Sequence, residues 1–353
     1  MAYFSRFWSN SNSNDKEMIA IYNSGGTNVY YTDDDFNSYS TQSVTNGTVS
    51  SVNTNGKGCM AIVTSTGYVY FTVDYGQNWS SYNNSGMLAG AVAFSEDGRC
   101  IILPGNSGGA PYHKLSTNYG QSWVSLPSSI YNSIYGGVAC WVNKSGTKGL
   151  VGCRSSGIGY STDLNNNIWS KHPRNTGNFG DPSGYGAFAS SINGDAWAYG
   201  TASWGNDLLY NRNGDVNSYT CPVSTATGPV LINDDGTIYF SNSTTCYVIP
   251  SGSSSISTYF TASGTIVSMF TDDLMSNIVS YTNNGYYYVN TNSGSGITLT
   301  SNNNVLFLSR SAILFGINSS YQLMKSSNWG SGWTDITGSL SIGSTTRISI
   351  RHR

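Results

Sequence analysis

The chain alternates short apolar or β-branched runs with clusters of Gly, Asn, Ser and Asp. No window of a dozen residues places apolar positions at i, i+3, i+4 and i+7, so strands are expected throughout and helix almost nowhere. The clearest stretch runs from 48 to 84. Thr48-Val-Ser-Ser-Val-Asn reads as a strand, Asn55-Gly56 as a turn and Cys59-Met-Ala-Ile-Val-Thr as a second, more apolar strand. Ser65-Thr-Gly67 then turns into Tyr68-Val-Tyr-Phe-Thr-Val, and Asp74-Tyr-Gly-Gln-Asn leads into Trp79-Ser-Ser-Tyr. The same grammar recurs in Ala91 to Trp123, Val138 to Trp169 and Gly186 to Tyr210, and more weakly from Val230, Ile266 and Val305. Met18-Ile-Ala-Ile-Tyr and Val29-Tyr-Tyr-Thr open the series.

Four strands per unit at a spacing of about 40 residues is the period of a β-propeller blade. The expected fold is all-β, a single propeller domain over residues 1–353 built from four-stranded antiparallel blades. The repeat counts to about eight blades, or seven if the irregular stretch 228–262 is not one. One four-stranded sheet cannot bury both its faces, whereas blades packed face to face around an axis can. Ring closure is expected from Thr346-Arg-Ile-Ser-Ile350 pairing in the same blade as the N-terminal strands.

Composition supports a folded chain. Charged residues are only 10%, yet aromatics reach 13%, with 26 Tyr and 41 Gly; disordered chains are poor in aromatic and β-branched residues. A net charge of −2 provides no basic stripe for nucleic acid. The basic C-terminal cluster Arg347, Arg351, His352 and Arg353 reads as a solvated tail or interface anchor. No apolar run approaches the roughly 20 residues of a membrane helix, and Met1-Ala-Tyr-Phe-Ser-Arg-Phe-Trp has no apolar core of the secretory kind. Six cysteines lie far apart without CxxC spacing, so buried free thiols are expected. A virion or the cytoplasm is the expected setting.

One polar signature recurs between the third and fourth strands. It reads Thr72-Val-Asp74-Tyr-Gly76-Gln-Asn-Trp79, Ser116-Thr-Asn118-Tyr-Gly120-Gln-Ser-Trp123 and Ser326-Ser-Asn328-Trp-Gly330-Ser-Gly-Trp333. Ser161-Thr-Asp163 through Trp169 carries an insertion and lacks the Gly, and Thr32-Asp-Asp34 with Tyr39 reads as a degraded copy. The signature resembles the Asp-box, or BNR repeat (Ser/Thr-x-Asp-x-Gly-x-x-Trp), of sialidase-like and sortilin-like propellers. It covers most of the chain except 210–300, and Asn replaces Asp in two copies. The resemblance implies a propeller whose boxes lie on the hairpins away from the ligand-binding face. In physical terms, Asp or Asn closes the turn on backbone N–H groups, Gly supplies a positive φ and Trp caps the blade edge. A structural role therefore outweighs a catalytic one at Asp74, Asn118, Asp163 and Asn328. One carboxylate per turn is also a poor site for calcium, which takes six to eight oxygens.

Because some propellers with this box are glycoside hydrolases, a carbohydrate-active enzyme is the alternative reading. Hydrolysis usually requires two carboxylates flanking the bond. The only glutamates are Glu17 and Glu96, and Glu96 lies in a Ser-Glu-Asp-Gly turn. The pairs Asp234-Asp235 and Asp272-Asp273 also fall where turns are expected. The nine arginines show no sialidase spacing, the three histidines no metal spacing, and no Gly-x-Ser-x-Gly elbow appears. No catalytic residue, metal or cofactor is assigned.

Ligand contact is expected instead on the three longest connections, Pro104 to Tyr112, Pro173 to Gly186 and Ala202 to Asp207, which should gather on one face. They carry Tyr112, Arg174, Asn178, Asp181, Tyr185 and Trp204, an aromatic, polar and charged mixture suited to glycan or protein contact. The composition also resembles that of phage-tail and virion surface proteins. The resulting expectation is a non-catalytic binding or assembly module, with a protein or glycan partner and a place in a larger assembly.

Overall fold

The computed structural model describes residues 17–55, 57–83, 92–105, 113–127, 130, 137–153, 157–171, 188–190, 197–200, 208–212, 219–220, 228–232, 235–271, 277–284, 286–291, 296–300, 304–308, 313–328, 332–348 and 350–351. The fold is an all-β propeller type: among the described residues six sheets hold four consecutive antiparallel strands, one holds three consecutive strands completed by Thr346–Ile348, and one adds Ile350–Arg351 to four consecutive strands. The chain divides into two compact units, one within Asp15–Phe179 and Gly343–Arg353, the other within Gly180–Ile342. Each contains four sheets among the described residues. The expectation of about eight blades in one closed ring concerns both units together, and four sheets are what each displays by itself.

In the first unit, Met60–Thr64 is buried along its whole length. Its alternate residues point to opposite faces. Met60 and Ile62 join Ala20, Tyr22, Val29 and Tyr31 of the preceding sheet. Ala61 and Val63 join Phe94, Ile101 and Leu103 of the following one. This two-sided burial is why the strand reads as an unbroken apolar run rather than an alternating one. In the second unit, Val230–Ile232 and Ile238–Asn242 anchor an equivalent cluster with Leu208, Met269 and Ile278. The stretch 228–262, the weakest repeat in the sequence, is thus a complete four-stranded sheet.

The C-terminal strand Thr346–Ile348 pairs antiparallel with Ile19–Asn23, completing the sheet that the first strands begin. The chain then passes to the next sheet, where Ile350 and Arg351 pair parallel with Asn53 and Thr54. The expected terminal pairing is present, and the tail extends it to a second sheet. Cys59, Cys100, Cys140 and Cys246 are buried free thiols; Cys153 and Cys221 lie outside the residues whose side chains are described.

Candidate functional site

The recurrent polar turns are built alike. Thr72 donates to Asp74 Oδ1 at 2.7 Å, and its hydroxyl oxygen accepts the Asp74 and Gly76 N–H groups at 3.3 and 3.0 Å. Asp74 Oδ1 accepts Asn78 N–H at 2.9 Å and Oδ2 accepts Asn78 Nδ2 at 2.7 Å. Burial pushes the Asp74 carboxyl up, but hydrogen bonds from Asn78, Thr72 and Gln77 outweigh it and hold it below the usual carboxylate range. With Asn118 in that place the pattern survives: Ser116 donates to its Oδ1 at 3.0 Å, and Ser122 N–H reaches the same oxygen at 2.9 Å. Asp163 accepts Asn166 N–H at 3.3 Å. Asn328 accepts from Ser326 and from Gly332 N–H at 2.9 and 2.8 Å, whereas Gly330 lies outside the described residues.

In the copy that looked degraded, the polar bonds that close the turn are present. Asp34 accepts from Thr32 at 2.6 Å, Ser38 N–H at 3.0 Å and Ser38 Oγ at 2.7 Å. Phe36, in the Gly place, adopts φ 59°. Ser/Thr and Asp/Asn close the turn, and the Gly has a different task. A Cβ on Gly76 would stand 2.4 Å from the Tyr31 ring, and one on Gly120 2.2 Å from the Phe71 ring. Each Gly therefore admits an aromatic ring from the sheet before it. The tryptophans that end these turns close over the same rings: Trp79 lies 5.8 Å from Tyr31 and Trp123 6.0 Å from Phe71. Trp79 Nε1 donates to Gly76 O at 3.1 Å, and Trp169 Nε1 to Asn167 Oδ1 at 2.9 Å. Trp333 Nε1 is buried with no hydrogen-bond partner among the described residues.

The first-to-second-strand hairpins share this end of the sheets in the first unit. Tyr75 N–H donates to Gly58 O, Tyr119 N–H to Arg99 O and Leu164 N–H to Thr147 O. Glu96, read from the sequence as a surface turn residue, also ties neighbouring sheets together. It pairs with Lys57 of the preceding hairpin and with Lys144 of the following one, the latter at 3.0 Å. The only sequence signal for this bridge is that both lysines occupy the same kind of turn as Glu96. Among the described residues no group of three or more His, Cys, Asp or Glu side chains could hold a metal ion.

The second-to-third-strand and sheet-to-sheet connections leave from the opposite end. Tyr112, Arg174, Asn178, Asp181, Tyr185 and Trp204 all lie on these connections, outside the described residues. The foot of one connection is visible. It leaves Leu103 and returns at Lys114, and Gly105 N–H donates to Nδ1 of the buried His113 at 3.0 Å. Burial lowers the His113 pKa from 6.5 to about 4, so the ring is neutral and its Nδ1 accepts. As pH falls below 6.5 the unfolded chain takes up a proton that the folded chain refuses. His113 should therefore contribute a drop of about 3 kcal/mol in stability between pH 6.5 and 4, which His113→Gln should remove in denaturant titrations, leaving the shallower slope of carboxylates such as Asp74. Equal slopes in the two proteins would refute it.

No protein-family model matches the chain, and no curated protein does. Solved structures do. The chain is similar to the Dos1 propeller at 13% identity and a TM-score of 0.61, covering 88% of this chain and 92% of that one. It is similar to Citrobacter koseri AztD at 12% identity and a TM-score of 0.61, covering 95% and 97%. Against the Niastella koreensis GH74 enzyme it aligns over 89% of its own length but spans only 51% of that chain, at 13% identity and a TM-score of 0.42. The first two likenesses show the fold, a β-propeller, and nothing finer.

Proposed function

We propose that the chain is one propeller domain, its sheets closed into a ring of about eight blades, acting as a binding and assembly module. Its recurrent turns serve as Asp-box staples, and the opposite, long-loop face engages a protein or glycan partner within a larger assembly of the virion or phage-tail kind. What supports this reading is the asymmetry between the two ends of the sheets. At one end the acidic side chains are consumed by their own backbone and by neighbouring hairpins. In the sequence, the length variation falls on the other connections, and these carry Tyr112, Arg174, Asn178, Asp181, Tyr185 and Trp204. Surface connections lengthen at little thermodynamic cost, so they are where recognition diversifies on a rigid scaffold.

The test is a glycan array on the purified protein, with release of reducing sugar followed in parallel. Binding without turnover, reduced at least about tenfold (1.4 kcal/mol) by Tyr185→Ala or Trp204→Ala, is the expected result for a glycan partner. Turnover of any arrayed glycan would replace this reading with the glycoside hydrolase one.

A further inference from the structure

The loop from Val44 to Thr48 joins the first sheet to the second, and it folds over the third strand of the second sheet, Tyr68–Thr72. The Tyr70 side chain rises from that strand into the loop. Its phenolic oxygen lies 3.2 Å from Thr45 N–H, 3.2 Å from Asn46 N–H and 2.9 Å from Asn46 Nδ2, with Thr45 Oγ1 at 3.1 Å. Three N–H groups thus converge on one oxygen. A neutral phenol has one proton to give and two lone pairs to receive. It can satisfy two of those donors while pointing its own proton at Thr45 Oγ1, and the third is left over. A phenolate has a third lone pair and no proton, so it takes all three. The nest matches the ionised form better than the neutral one.

The ring packs in an apolar cluster with the phenols of Tyr22, Tyr31 and Tyr68, and the Arg347 charge acts on Tyr22 within that cluster. The ring is buried, while Thr45 and Asn46, which hold its oxygen, are exposed. We infer that Tyr70 is a reactive-phenol site, its oxygen activated by the Thr45–Asn46 nest to take an acyl group from small activated acyl donors. Burial pushes the Tyr70 phenol up, and the hydrogen bonds from Thr45 and Asn46 outweigh it and hold it below the usual tyrosine value. In the acylation the phenol first loses its proton to water. The phenolate oxygen then bonds to the acyl carbon as the bond from that carbon to the leaving group breaks, and the leaving group takes up the proton.

The experiment treats the folded full-length chain with N-acetylimidazole at a series of pH values and maps acetylation by peptide mass spectrometry. In this reagent the leaving group is imidazole. Tyr75 and Tyr119, more than a third exposed on the turn end, serve as the reference tyrosines in the same digest. The expected result is that acetylation of Tyr70 rises with pH through an inflection below those of Tyr75 and Tyr119. In Asn46→Ala, which removes the 2.9 Å donor while keeping both backbone N–H groups, that inflection should move upward with the other two unchanged. An inflection at or above those of Tyr75 and Tyr119, no acetylation of Tyr70 at any pH at which the chain stays folded, or indifference to Asn46→Ala would each overturn the inference.

Discussion

Removing residues 344–353 should lower the stability of the chain by about 5 kcal/mol, from roughly four ladder hydrogen bonds at about 1 kcal/mol each and the apolar surface they cover. The pairing of Thr346–Ile348 with Ile19–Asn23 covers Ile21 and Tyr22, both buried. Ser24 N–H also donates to Thr345 O at 3.0 Å. Asn53 and Thr54, also buried, lose the parallel partner Ile350–Arg351. Truncation would leave two inner strands with open edges, which invites pairing with other chains. Thermal unfolding checks this: a midpoint lower by about 10 °C or more is expected, with aggregation on heating. A truncated chain that melts with the full-length protein would show that the terminal pairing contributes nothing.

Gly120→Ala should cost about 2–5 kcal/mol. Its φ of +76° is the left-handed region, which costs a side-chain-bearing residue about 1–2 kcal/mol. The new Cβ would stand 2.2 and 2.3 Å from Phe71 Cζ and Cε2, an overpacking of about 1–3 kcal/mol. Gly25→Ala separates the two contributions. That residue has φ +84° but nothing within 4 Å of its would-be Cβ, so it should lose only the backbone part. Combining Gly120→Ala with Phe71→Leu should recover part of the steric cost, and a double-mutant cycle read by urea denaturation would measure it. Equal losses for the Gly120 and Gly25 variants would show that Phe71 does not press on the turn.

The repeat was legible in the sequence wherever a turn used Gly or Asn-Gly and a strand was buried on both faces. Met60–Thr64 and Tyr68–Thr72 stand out for that reason. It faded where the same geometry is made with other residues. The hairpin linking Ile238–Asn242 to Thr245–Ile249 places Ser243 at φ 52°, with no Gly to announce it. At Thr32 to Tyr39 the turn looked worn because Phe36 and Tyr39 replace Gly and Trp, yet Thr32 and Asp34, the residues that close it, were unchanged. The sequence could suggest that Gly admits a positive φ, but not that Gly76 and Gly120 make room for Tyr31 and Phe71, since those rings come from a different repeat. The Tyr70 nest has no sequence signature at all. It arises because an inter-sheet loop crosses a strand more than 20 positions further along the chain, with Thr45 and Tyr70 standing 25 apart.

The terminal pairing also sets a timetable for synthesis. Thr346 donates to Asn23 across 323 positions, so the first sheet cannot be finished until that whole intervening stretch has been synthesised. At about 5–20 residues per second that is roughly 15–65 s, during which the strand edge at Ile19–Asn23 stays open. An edge left open that long is exposed to pairing with other chains, including neighbouring copies still being made.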